Sequence, residues 1–150
     1  MIGVSNARDS LAEHSMNPLK TFIVEDSPII LENLAATLEA LVPLRVVGSA
    51  KDEDSAVFRL TQAGREVDLV IIDVFLLAGS GLGVLHCLVQ GRLPCKRVVL
   101  TNSATPMMRS KCLSLGADRV FDKSNELDDL VHYCSRLADG GGDTMPGAFA

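Results

Sequence analysis

The chain has 150 residues, 47% of them hydrophobic, and a formal net charge of -5, enough to bury one sizeable core and too little for two ordinary domains. Its longest apolar run, Leu69 to Ala78, is ten residues long and interrupted by Asp73, well short of the roughly 18 a bilayer span needs. The acidic balance and the lack of a basic run argue against non-specific nucleic-acid binding by this domain alone, and the polar start (Asn6, Arg8, Asp9, Glu13) does not read as a secretory signal, so a cytoplasmic protein is expected.

Residues 1–17 carry no hydrophobic periodicity and read as a flexible N-terminal tail. From there two periods alternate. Strand-like runs fall at Lys20–Glu25, Leu44–Gly48, Asp68–Asp73, Arg97–Thr101 and Arg119–Phe121. Between and after them the apolar residues recur at helical spacing: Leu31, Leu34, Leu38 and Leu41; Ala56, Val57, Leu60 and Ala63; Leu85, Leu88 and Val89; Met108, Cys112 and Leu115; Leu127, Leu130, Val131, Cys134 and Leu137. Ser27-Pro28 and Thr105-Pro106 each put a hydroxyl at a helix N-cap and proline at the first helical position. Gly64 and Gly116 stand where a left-handed C-cap wants glycine, and Ser124 is the expected cap of the last helix. Residues 140–150, rich in glycine, read as a C-terminal tail or linker.

Five strand–helix repeats imply right-handed crossovers and a parallel sheet. The expected architecture is a three-layer, doubly wound (βα)5 domain over residues 18–139, flavodoxin-like, with strand order 2-1-3-4-5. The four cysteines, at 87, 95, 112 and 134, form no C-x-x-C pair and read as buried reduced thiols; the histidines at 14, 86 and 132 form no ligand pattern.

In such a sheet, ligands gather outside the carboxyl ends of the strands. The residues expected there are Glu25 and Asp26 after the first strand, Asp73 at the third, Thr101 at the fourth and Lys123 after the fifth. Two carboxylates about 4 Å apart repel by roughly 4 kcal/mol at an effective dielectric near 20, so three need a cation. Lys123 supplies one charge, and an all-oxygen donor set beside water suits Mg2+ better than zinc or calcium. Carboxylates, hydroxyl, ammonium and Mg2+ together form a clamp for a phosphoryl group, with an aspartate as nucleophile.

These motifs resemble those of the response-regulator receiver domain of bacterial two-component signalling: Glu25-Asp26 in VEDSP, Asp73 after LVII, Gly81 eight residues later, Thr101 in VVLTNS, Gly116-Ala117-Asp118 and Lys123 in FDKS. The resemblance covers about residues 19 to 139. It implies that Asp73 accepts a phosphoryl group from a histidine kinase or phosphotransfer protein. It further implies that Glu25, Asp26, Asp73 and the backbone carbonyl of Phe75 hold Mg2+, that Thr101 and Lys123 contact phosphoryl oxygens, and that a partner or output domain reads the face of the fourth helix, fifth strand and fifth helix. A homodimer is compatible with this reading, and turnover of an external substrate is not expected. The chain departs from the family pattern at Leu77 and Ser124, where proline is usual, at Asn102, where a smaller residue is usual, and at Val120, where an aromatic is usual; Phe121 is expected to face the other side of its strand.

Two other readings compete. A haloacid-dehalogenase-type phosphatase would need a second aspartate two residues after the nucleophile, where Phe75 stands. A receiver-like interaction module that is never phosphorylated would not require the intact acids, Thr101 and Lys123. The glycine cluster Gly79-Ser80-Gly81-Leu82-Gly83 matches neither the dinucleotide fingerprint nor a P-loop, and it is not a nucleophile elbow.

Overall fold

The structure, a computed structural model, describes residues 17–140. The two expected tails lie outside the described residues except for Asn17 and Gly140, as does His14. Five strands and five helices alternate: β1 (Leu19–Val24), α1 (Pro28–Leu41), β2 (Leu44–Ala50), α2 (Glu53–Ala63), β3 (Leu69–Ile72), α3 (Gly81–Gln90), β4 (Lys96–Thr101), α4 (Pro106–Ser114), β5 (Arg119–Asp122) and α5 (Leu127–Ala138). All strand pairings are parallel and the order is β2-β1-β3-β4-β5, as the alternation of periods predicts. A 3-10 turn at Gly64–Glu66, which the periodicity does not anticipate, follows α2.

Successive strand residues point to opposite faces, and each face has its own core. On one side Ile23, Leu69, Ile71, Val98, Leu100 and Phe121 meet α1 through Leu34 and Leu38, and α5 through Leu130, Tyr133 and Cys134. On the other, Val24, Val70, Ile72, Val99 and Val120 meet α2, α3 and α4. Phe121 and Tyr133 pack with ring centroids 6.0 Å apart, so the β5 aromatic lies opposite Val120, as the strand period requires. The strands between are apolar on both faces because both faces are covered.

The helix starts follow local chemistry. Ser27 and Thr105 accept the N–H groups of Ile30 and Met108, and Pro28 and Pro106 occupy first-turn positions. Gly64, with φ +58°, ends α2. The expectation for Ser124 is corrected: α5 starts at Leu127 with Glu126 at its N-cap and no side-chain cap. Asp122 Oδ1 accepts the N–H groups of both Ser124 and Asn125, at 2.7 and 3.3 Å. That turn occupies Ser124 and delays the helix by two residues. Cys95, Cys112 and Cys134 are buried, Cys87 is half-buried, and all four are free thiols.

Candidate functional site

The carboxyl ends of β1, β3, β4 and β5 meet at one edge, and the sheet ladder places each functional residue there. Glu25 N–H donates to Ala50 O and Asp73 N–H to Val24 O, continuing the hydrogen bonding one residue past β1 and β3. The Lys123 N–H donates to Thr101 O at 3.0 Å. Backbone pairing therefore brings residues 98 positions apart into one site.

Glu25 is only 3% exposed, and both of its oxygens are satisfied. Oε2 accepts the Ser27 N–H at 3.0 Å, and Oε1 accepts Lys123 Nζ at 2.6 Å. The same ammonium reaches Asp73 Oδ2 at 2.9 Å, while Asp73 Oδ1 accepts the Phe75 N–H at 3.3 Å. Burial of the Lys123 ammonium works to lower its pKa, but the hydrogen bonds it donates to Glu25 and Asp73, together with the charges of those carboxylates, outweigh it and hold the value above the ordinary lysine range. Asp26 completes the cluster: the carboxylates of Glu25, Asp26 and Asp73 each offer one oxygen, all within 4.8 Å of one another. Asp26 Oδ2 accepts the N–H of Leu77 at 2.8 Å.

Three hard oxygen donors around one lysine fit a small divalent cation that keeps some of its water. A single ammonium leaves two of three negative charges uncompensated, and Lys123 already spans Glu25 and Asp73. Thr101 is fully buried at the end of β4, its Oγ1 accepting the Ser103 N–H at 3.2 Å. Asn102 is turned toward the β5–α5 turn, where its Oδ1 accepts Ser124 Oγ at 3.3 Å. With Lys123, Ile30, Leu34 and Leu127 it lines a groove of about 270 Å³ between α1 and α5.

The loop carrying Phe75 is built by the glycine cluster. A Cβ at Gly81 would overlap the Asp73 carbonyl oxygen, and Cβ atoms at Gly79 and Gly83 would overlap the Glu53 side chain. Glu53 Oε1 accepts the Ser80 N–H at 2.9 Å and the Glu53 N–H donates to Ala78 O at 3.2 Å. Gly79 also has φ +80°, a conformation side chains disfavour. The glycines therefore make room for a carboxylate and a carbonyl of this chain, not for a nucleotide. Glu53 is a residue the motif reading misses; the signal for it is two glycines four apart on the same side of a helix start.

A second missed pair lies at the other edge of the site. Arg109 on α4 donates to Ala104 O, to Val120 O and to Glu126 Oε1, at 3.0, 3.0 and 2.7 Å. The same Glu126 oxygen accepts the Asp122 N–H at 2.8 Å. The Arg109 guanidinium and then the Asp122 N–H hold the Glu126 carboxyl below the usual carboxylate range. One guanidinium thus links α4, β5 and the start of α5.

A doubly wound sheet with an acid–lysine cluster at the ends of β1, β3 and β5 defines a class of phosphoacceptor domains. The sequence model of the response regulator receiver domain matches residues 21–135, and the chain belongs to that family, which serves two-component signalling and whose members bind Mg2+ at an acidic pocket. An uncharacterized transcriptional regulatory protein of Bacillus subtilis, YvfU, is 27% identical over 122 residues. That match covers 81% of this chain and 60% of the relative, so the chain spans about three-fifths of that protein's length. Among solved structures, the signal receiver domain of the putative response regulator NarL from Mycobacterium tuberculosis superposes with a TM-score of 0.73 at 19% identity, covering 83% of this chain and 98% of that one. The isolated receiver domain of RcsB from Salmonella enterica, determined with phosphomimetic BeF3-, gives 0.74 at 22% identity, covering 87% and 94%. Among the described residues no helix is long and apolar enough to cross a membrane.

Proposed function

We propose that this domain is a phosphorylation-dependent switch in which Asp73 accepts a phosphoryl group from a histidine kinase or phosphotransfer protein. One observation carries the reading: Lys123 Nζ sits between Glu25 and Asp73, with Asp26 beside them. The Asp73 carboxylate forms an O–P bond as the P–N bond of a phosphohistidine breaks, and the imidazole leaves with the electron pair and is protonated. Glu25, Asp26, Asp73 and the Phe75 carbonyl are the residues that would hold Mg2+, which supplies charge neutralisation for the transferring group. Lys123 keeps its proton and pairs with one phosphoryl oxygen; the Thr101 hydroxyl donates to another. The added charge of nearly two units then biases the α4–β5–α5 face, where Arg109 and Glu126 stand in for the absent aromatic coupling at Val120. The downstream partner is a protein or output domain that reads this face.

The absence of a second acid two residues past Asp73 speaks against hydrolytic turnover of phosphoesters, since Phe75 has no proton to exchange. Incubation with a small phosphodonor and Mg2+, read by intact mass, tests the proposal. One phosphoryl adduct on wild type and none on Asp73→Asn is expected. No adduct, or sustained release of phosphate from a generic phosphoester, would overturn it.

A further inference from the structure

The β3–α3 loop has little packing of its own. Of residues 75–79 only Leu76 turns toward the core, while Phe75 and Leu77 are exposed. A carboxylate from another element closes the loop instead. Glu53, the first residue of α2, accepts the Ser80 N–H on Oε1 at 2.9 Å and donates its own N–H to Ala78 O at 3.2 Å. Its side chain fills a niche that exists because two loop and helix positions are glycine: a Cβ on Gly79 or on Gly83 would overlap it. From Ser80 the connection continues along the backbone. Ser80 pairs with Phe75 in an isolated antiparallel bridge, and the Phe75 N–H donates to Asp73 Oδ1 at 3.3 Å. Direct contacts therefore run from α2 to the phosphoacceptor.

We infer that Glu53 is a positioning residue for the phosphorylation site: its carboxylate holds Ser80 and, through the bridge, keeps Phe75 against Asp73, where it limits the approach of water to the acyl phosphate. The inference rests on Asp73 being the phosphoacceptor. Holding an exposed loop in one conformation costs backbone entropy that exposed side chains do not offset, and neither Gly79 nor Gly83 has a side chain that could pin the loop to α2. A hydrogen bond to a carboxylate is stronger than one between neutral groups, so this tie governs how often the loop opens locally. Hydrolysis of the adduct joins the water oxygen to phosphorus as the acyl O–P bond breaks. The Asp73 carboxylate leaves with the electron pair, and the water's protons pass to the phosphate formed. A loop that opens more often admits water to that phosphorus more often.

Glu53→Ala removes the acceptor, and Glu53→Gln keeps an oxygen of the same reach. Gly83→Ala leaves Glu53 in the chain but puts a Cβ where its carboxylate lies. Each protein is loaded with a small phosphodonor and Mg2+, the donor is removed, and loss of the adduct is followed by intact mass. The adduct's half-life should be about threefold shorter in Glu53→Ala and in Gly83→Ala, and close to wild type in Glu53→Gln. The double variant Glu53→Ala/Gly83→Ala should decay no faster than either single one, because both changes remove the same contact. A wild-type half-life in Glu53→Ala or Gly83→Ala, or equal shortening in Glu53→Ala and Glu53→Gln, would overturn the inference while leaving Asp73 phosphorylation standing. No adduct on wild type would overturn both. Amide exchange of the unphosphorylated proteins needs no adduct: in Glu53→Ala the Ser80 amide should exchange at least about tenfold faster, while the Asp73 amide, bonded to Val24 O, keeps its rate. An unchanged Ser80 amide, or equal acceleration of both, would also overturn the inference.

Discussion

Lys123 and Glu25 meet at 2.6 Å although 98 residues separate them, and Glu25 is nearly inaccessible to water. Removing the ammonium leaves a buried carboxylate facing Asp73 without a cation, a loss that costs about 3–5 kcal/mol when one partner of a buried pair is deleted. Lys123→Met should therefore lower urea-unfolding stability markedly without divalent ions. A ligand at 100 times its Kd adds about 2.7 kcal/mol, and both proteins gain from Mg2+; the gap should narrow because the variant, with three carboxylates and no ammonium among them, binds the ion more tightly than wild type. The pH dependence has a defined sign. Since the folded-state pKa of Lys123 is raised, its contribution is complete below the free lysine value of about 10.4 and fades only as pH climbs through the higher folded value. Equal stability of Lys123→Met and wild type without Mg2+ would contradict this.

Gly81 and Gly64 separate two reasons for glycine. A Cβ at Gly81 would overlap the Asp73 carbonyl and approach Ile72, so Gly81→Ala should cost about 1–3 kcal/mol as an overpacking change. It should also slow Asp73 phosphorylation, because the start of α3 must move away from that carbonyl. Gly64 has φ +58° and open space around it. At φ +58° and ψ -121° the backbone lies where residues with a Cβ are strained, so Gly64→Ala should cost about 1–3 kcal/mol and leave phosphorylation unchanged. Denaturation curves and adduct rates for the two variants check this.

Phe75 follows the phosphoacceptor by two residues, its N–H on Asp73 Oδ1 and its ring 56% exposed. A ring this close in sequence to the phosphoacceptor would shield an acyl phosphate from water. Phe75→Asn should shorten the adduct's half-life by about threefold, equivalent to roughly 0.6 kcal/mol in barrier height. An unchanged decay rate would remove the shielding role.

Burial pushes the Cys134 thiol up to about 12, and burial likewise raises Cys95 and Cys112. Raised folded-state values keep these thiols protonated. Their contribution to stability is complete below the free cysteine value of about 8.5 and is lost as pH rises toward the folded values. Alkylation of the native protein near neutral pH should label Cys87 first, as peptide mass mapping would show.

Much of the site could be read from sequence because its residues conflict with their surroundings. Asp73 is a charge in an apolar run, and Glu25, Thr101 and Lys123 each follow a β-branched stretch, so the alternation of periods delivers them to one edge. The strand order follows from chain direction and crossover handedness in the same way. What escaped notice were contacts that side-chain patterns do not encode. Leu77 meets Asp26 through a backbone N–H, and Glu53 occupies space left by Gly79 and Gly83. Arg109 joins α4 to Val120 O and Glu126 across a gap that no local motif marks. Ser124 misled because a hydroxyl before a helix resembles a cap, while Asp122 had already turned the chain.

The central claim is that the phosphoryl group resides on Asp73, and reductive trapping tests it most directly. Borohydride treatment of the phosphorylated protein converts an acyl-phosphate aspartate to homoserine, which peptide mass spectrometry locates by position. The account predicts homoserine at residue 73 alone, dependent on phosphodonor and Mg2+. Conversion at residue 26 or at any other acidic position, or adduct formation with no conversion at 73, would contradict it.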